Sequence, residues 1–194
     1  MTIHNLQQGT PEWFAVRLGK LTASDAQAIA TAGKGLETLC FEKVAEIISG
    51  TKQASYTNGD MERGKEQEEL ARASYELKYG LSVVSVGFVE LNEYVGASPD
   101  GFVGDDGLVE FKCPTNTNFV MLMYNKKPDS KYDWQMQMQM KVTGRSWVDF
   151  VAFNENFPEI ITLRVEKDEQ KFAKIEQGLE VGVEKIKSIL EGVK

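Results

Sequence analysis

The stretch from Val95 to Lys112 constrains this chain more than any other. Val95 to Val103 and Leu108 to Lys112 read as two strands, and Gly104-Asp105-Asp106-Gly107 between them is a hairpin signal. Successive strand residues face opposite sides of a sheet. Glu110 and Lys112 therefore point one way, while Val109, Phe111 and Cys113 make the other face apolar. The second strand reads as an inner strand whose charges are aimed into a cleft. Closing the hairpin brings Asp100 alongside, so two carboxylates and an ammonium converge on one spot. An Asp…Glu-x-Lys pattern alone occurs by chance in many chains, as a surface hairpin with a cross-strand ion pair. The apolar flanks argue against that reading here, because buried carboxylates are costly without a cation to pair with. Phosphodiester hydrolysis is the chemistry that uses such a set. Hard Mg²⁺ ions prefer carboxylate and water ligands, can activate a water and can stabilise a leaving oxygen. The lysine can hold the attacking hydroxide or offset charge in the transition state.

Around this hairpin the pattern is mixed α/β. Thr10-Pro11-Glu12 reads as an N-cap with proline at the first helical position, opening a helix with Trp13, Phe14, Val16 and Arg17 that ends near Gly19. Thr22-Ala23-Ser24-Asp25 caps a second helix over Ala26 to Ala30. Helical spacing of apolar residues runs from Leu36 to Ile48, with Gly50 as the stop. A long stretch from Asn58-Gly59 to Tyr79 ends at Gly80. Val83 to Val89 are strand formers, as are Trp147 to Phe153 and Ile160 to Val165. Asp168 onward carries one apolar helical face through Leu190. Gln135-Met136-Gln137-Met138-Gln139-Met140 alternates with period two, yet Gln and Met favour helix over strand, so a helix starting after Pro128-Asp129-Ser130 is expected. On it Gln135 and Gln139 share a face. The expected architecture is a central mixed sheet flanked by helices.

Composition limits the function classes. The 194 residues show no repeat or linker, so one domain over 1–194 is expected. No apolar run approaches the roughly 20 residues that span a bilayer. Met1 to Gln8 lacks a basic apolar leader, and the two cysteines, Cys40 and Cys113, read as reduced thiols of a cytoplasmic protein, with Cys113 buried and inert. One histidine, His4, cannot build a zinc-finger site and is expected to precede any ordered element. A net charge of −7 argues against coating nucleic acid by bulk attraction but not against a local groove. Two divalent cations bound by carboxylates would reduce it to about −3. The methionines at 121, 123, 136, 138 and 140 and the tryptophans Trp13, Trp134 and Trp147 read as packing residues.

Four motifs stand in order along the chain: Trp13…Arg17-Leu18-Gly19…Thr22-Ala23-Ser24, Met61-Glu62-Arg63-Gly64…Glu68…Ala71-Arg72, Gly96-Ala97-Ser98-Pro99-Asp100-Gly101…Glu110-Phe111-Lys112-Cys113-Pro114, and Tyr132…Gln135-Met136-Gln137…Val142-Thr143-Gly144. Together they resemble the phage lambda exonuclease family of viral recombination nucleases (alkaline exonucleases), within the PD-(D/E)xK nuclease superfamily. The resemblance implies a restriction-endonuclease-like core and a homotrimeric ring. The implied activity is 5′-to-3′ digestion of one strand of double-stranded DNA from its ends. It would release mononucleotides and leave a 3′ overhang for a single-strand annealing protein. The setting would be a phage- or prophage-encoded enzyme in a bacterial host.

By the same resemblance Asp100 and Glu110 would be metal ligands, with the Phe111 carbonyl beside them, and Lys112 the catalytic lysine. The cofactor would be Mg²⁺, two ions with Mn²⁺ as a substitute. Glu68 would be a further acid near the metals, against the plainer reading of an exposed helix charge, and Glu90 another. Arg17, Ser24, Ser98 and Gln135 would hold the DNA 5′-phosphate, a task suited to a planar guanidinium, hydroxyls and a helix N-terminus. Ser24 can be that ligand and an N-cap at once. Met61 matches an apolar wedge that parts the duplex, with core packing an equal contender. The rivals are an endonuclease of the same superfamily and a noncatalytic DNA-end-binding subunit.

Overall fold

A computed structural model describes residues 1–52 and 59–193, with side chains of 59–66 not among those described. The elements follow the caps. Thr10 caps helix α1 (Pro11–Arg17) by accepting from the Trp13 N–H. After β2 (Leu21–Thr22), a single 3-10 turn over Ala23–Asp25 carries the capping box of Thr22 and Asp25 and leads into α2 (Ala26–Thr31). α3 (Lys34–Ser49) ends on a left-handed Gly50, and α4 spans Gly59–Tyr79. The Gln/Met segment is helical: it lies in α6 (Ser130–Thr143), capped by Asp129 and closed by Gly144. α7 (Glu169–Gly192) is the last helix among the described residues.

The strands form two mixed sheets where the sequence suggests one. The first contains β1 (Thr2–His4), β4 (Phe88–Asn92), β5 (Val95–Ala97) and β2, in the order β1-β4-β5-β2. The second has the order β3-β6-β7-β8-β9, with β3 at Val83–Val84, β6 at Gly101–Val103, β7 at Gly107–Lys112, β8 at Trp147–Ala152 and β9 at Ile161–Glu166. The expected strand from Val95 to Val103 is thus two strands belonging to different sheets. Ser98-Pro99-Asp100 is the break, where proline removes a ladder donor. The hairpin expected next to it is present: Gly104 has φ +54, and β6 pairs antiparallel with β7 from Gly101↔Val109 to Val103↔Gly107.

β7 is central and parallel to β8, with α5 (Asn116–Asn125) and α6 in the crossover. Its two faces go to different cores. Leu108 packs with Phe119, Met136, Met140 and Phe150 beneath α5 and α6. Val109 and Phe111 pack with Val151, Ala71 and Tyr75 beneath α4. A third core joins α2, α3 and α7 to the first sheet and takes Met138 and Val142 from α6. His4 is part of this structure, contrary to expectation: it pairs with Phe88 in the β1–β4 ladder, and its Nε2 lies 2.8 Å from Glu90. Among the described residues no helix is long and apolar enough to cross a membrane.

α4 is tied to the second sheet by a buried polar link. The Tyr75 hydroxyl donates to Asp149 at 2.7 Å, and the guanidinium of Arg164, its cross-strand partner, grips the same carboxylate with two bonds of 2.8 Å. Asp149 is only 4% exposed, so its charge depends on these donors. Replacing it with alanine leaves the Tyr75 hydroxyl unpaired and removes the anchor of α4. Asp149→Ala is expected to cost about 2–4 kcal/mol, discounted for the half-exposed arginine, as read from urea denaturation.

Candidate active site

The hairpin register places Asp100, one residue before β6, beside Glu110 of β7. Asp100 Oδ2 accepts the Phe111 N–H at 2.7 Å. Glu110 is 1% exposed, and its carboxylate is surrounded by donors. The Lys112 ammonium donates to Oε1. Gln135 Nε2 reaches the same oxygen at 2.6 Å, and Gln139 Nε2 holds Oε2 at 2.6 Å. The Phe111 carbonyl faces the Asp100 edge of the strand, because the Lys112 carbonyl is turned the other way to accept from Phe153 N–H. Glu68 and Arg72 lie one turn apart on α4. Arg72 donates to the Asp100 carbonyl at 2.9 Å and to Ser85, which fixes the backbone at the acid. Glu68, Lys112, Tyr132 and Met121 line a cleft of about 810 Å³ that opens from this cluster.

The electrostatics are those of carboxylates crowded together. Burial, and then the charge of Glu110, hold the Asp100 carboxyl well above the usual carboxylate range, and Glu68 adds to the effect. Burial disfavours the Lys112 ammonium, but Glu110 and Asp100 outweigh it and push its pKa up, so it stays charged. One ammonium does not offset this much negative charge, so the donor set fits a divalent cation. Among the described residues no three His, Cys, Asp or Glu side chains close into a metal group. Mg²⁺ needs fewer, since it is usually bound by one or two carboxylates with waters.

A second cluster lies on the other side of the Ser98-Pro99-Asp100 break. Arg17 donates to Ser98 Oγ at 2.6 Å, Trp13 Nε1 to the same oxygen at 3.1 Å, and the guanidinium stacks 4.2 Å from the Trp13 ring centroid. Arg17 and Ser24 line a cavity of about 310 Å³ with Thr22, Lys43 and Glu46. Burial lowers the Arg17 pKa to about 10, against the pull of Asp25 and Glu46, which leaves it cationic at neutral pH. A half-buried guanidinium fork beside two hydroxyls is suited to a phosphate monoester.

The sequence matches the family described as YqaJ-like viral recombinase domain over residues 12–146. The chain belongs to this family, the lambda-exonuclease type. An alkaline exonuclease from Laribacter hongkongensis is 36% identical, with a TM-score of 0.88 over 95% of this chain and 96% of that one. The structure of that enzyme, LHK-Exo, in complex with dAMP gives 37% identity and a TM-score of 0.89 at the same coverage. A phage-related exonuclease from Haemophilus somnus 129PT, 19% identical over 90% of this chain and 96% of its own, shares the fold with a TM-score of 0.70. No curated protein sequence matches.

Within this YqaJ-like domain the residues picked from sequence fall into two groups. Asp100, Glu110, Lys112, the Phe111 main chain and Glu68 gather at the first cluster. Arg17, Ser24 and Ser98 gather at the second. Gln135 stands with the first group, on Glu110. Glu90 stands apart in the β1–β4 ladder. Its pKa is lowered first by the hydrogen bond from His4 and further by Lys20. Cys113 is half-buried and lines the cleft, a correction to its expected burial. The Met61 side chain lies outside the described residues. Sequence reasoning missed Gln139, although its position one turn after Gln135 was a usable signal, and it gave no role to Arg72.

The raised Asp100 pKa predicts a stability effect. The folded chain retains this proton to higher pH than the unfolded chain, whose pKa is about 3.9. Stability is therefore lost as pH rises from there through the folded value. At pH 8 in EDTA, Asp100→Asn should melt a few degrees above wild type, with the gap closing below pH 4, as read from thermal scans.

Proposed function

We propose that this YqaJ-like domain is a Mg²⁺-dependent 5′-to-3′ exonuclease that degrades one strand of duplex DNA from a phosphorylated end. The observation that carries this is the Ser98-Pro99-Asp100 segment, which serves both clusters. Two residues span at most about 7 Å, so the anion pocket sits next to the catalytic cluster. A terminal phosphate held by Arg17, Ser24 and Ser98 would place the neighbouring phosphodiester at Asp100, Glu110 and Lys112. Cleavage there releases one nucleotide at a time. LHK-Exo's complex with dAMP supports a mononucleotide product.

Asp100, Glu110 and the Phe111 carbonyl would hold Mg²⁺ (two ions, with Mn²⁺ a substitute), which when bound lowers the pKa of water and stabilises a leaving oxygen. The protein's own groups do the rest. Lys112 places a fixed positive charge where negative charge develops on the phosphoryl oxygens. Arg17 neutralises and orients the terminal phosphate. Glu68 adds a carboxylate at the mouth of the cleft. Gln135, which donates to Glu110, would contact the phosphate once DNA is bound. Met61 would part the end of the duplex.

The whole chain, 1–194, would act as one nuclease domain, assembled as a homotrimeric ring around DNA. It would work in the cytoplasm of a bacterial host beside a single-strand annealing protein. An acidic subunit suits such a ring, because only the DNA path needs to be basic and acidic outer surfaces limit nonspecific binding.

The deciding experiment is digestion of an end-labelled linear duplex with and without Mg²⁺, compared with a sealed circle. Loss of the 5′ label as mononucleotide, only on the linear duplex and only with Mg²⁺, is expected. Rapid cutting of the circle would identify an endonuclease instead. Lys112→Ala should abolish hydrolysis while retaining end binding in gel-shift assays. Arg17→Ala should reduce the preference for 5′-phosphate over 5′-hydroxyl ends by about 10-fold or more, scored on paired substrates.

A further inference from the structure

Gln139 is a buried polar residue whose presence packing does not explain. It is 0% exposed, among Met136, Met138 and Met140, each also 0% exposed. Its Nε2 donates to Glu110 Oε2 at 2.6 Å, yet its Oε1 has no hydrogen-bond partner among the described residues. A methionine there would fill the same space on the same helix without an unpaired carbonyl oxygen, but would leave Oε2 of the buried Glu110 carboxylate without this donor. The role of the amide therefore lies with its one partner, the buried Glu110 carboxylate.

Its single hydrogen bond indicates what that is. Glu110 offers two oxygens with different surroundings. Oε1 receives Lys112, which lines the cleft, and Gln135, which is partly exposed. Oε2 lies at the buried end and, among the described residues, receives Gln139 alone. Gln135 and Gln139 are one helical turn apart, so one rigid face of α6 presents both amides. The outer amide can let go when a cation or phosphate takes its place. The inner one is locked by packing.

We infer that Gln139 is a positioning residue that clamps Glu110 through Oε2, fixing its rotamer and committing Oε1 alone to the divalent cation. This deepens the nuclease reading and rests on it. Partners that orient a metal ligand typically contribute 10–100-fold to metal affinity.

The test uses the full chain and Ca²⁺ or Mg²⁺ as the probe, followed by isothermal titration calorimetry without DNA, alongside Mg²⁺ titration of the digestion rate. Gln139→Met is expected to weaken cation affinity about 10-fold or more and to raise the Mg²⁺ needed for half-maximal rate in parallel. Its KM for DNA ends should stay at the wild-type value, while its melting temperature should fall by a few degrees because Glu110 Oε2 loses its donor. Gln139→Asn, which keeps the amide but shortens its reach, should weaken cation binding in the same direction and serves if the methionine variant does not fold. Gln137→Met is the control. That buried glutamine on the same helix bonds the Glu166 carbonyl and the Asp168 N–H. Its loss should lower the melting temperature and leave cation affinity unchanged. Wild-type affinity in folded Gln139 variants would overturn the clamp alone. A wild-type chain that binds neither cation would overturn the nuclease reading, and the clamp with it.

Discussion

A carboxylate buried to 1% exposure is the constraint around which this molecule is arranged. Glu110 sits mid-sheet on β7, where water does not solvate it, so the protein supplies its hydrogen bonds from Lys112, Gln135 and Gln139. Those donors come from its own strand and from α6. Asp100 joins from the adjacent hairpin strand and is itself held by the Phe111 N–H. The second sheet, its hairpin and the crossover helix all meet at this charge. It leaves a local excess of negative charge at a cleft, which is what a divalent cation would neutralise.

The break between β5 and β6 is the second organising feature. One proline-containing turn ends a strand of the first sheet and begins a strand of the second. It also supplies Ser98 to the Arg17 pocket and Asp100 to the acidic cluster. The spacing between the two clusters is therefore set by covalent geometry rather than by the relative packing of distant elements. α4 and the Tyr75–Asp149–Arg164 link complete the frame by holding Glu68 and Arg72 over the same turn.

Locally encoded features were readable in advance. Thr10-Pro11, Thr22…Asp25 and Asp129-Ser130 are caps, and Gly104-Asp105-Asp106-Gly107 is a turn, because each satisfies its backbone within a few residues. The period-two Gln/Met run was readable as helix only through propensity. Its alternation reflects no sheet: α6 is buried nearly all round, with its methionines divided between two cores and its glutamines each matched to a polar partner. α5 was not legible, because its apolar residues run continuously. Phe119 and Leu122 are buried, while Val120, Met121 and Met123 between and beside them are exposed. β1 carried no signal, since Thr2–His4 is a strand only by virtue of β4.

What residue order settled was the charged set of the candidate site: alternation in β7 and a tight turn force Glu110 and Lys112 onto one face and carry Asp100 beside them. What packing alone settled was their company. That Gln135 attends Glu110 rather than Arg17, that Gln139 closes the far oxygen, and that Glu90 turns away to His4 all depend on how helices and strands distant in the chain come together. Strand periodicity acts between neighbours along the chain. Solvation of a buried charge is met by whichever donors the tertiary fold delivers.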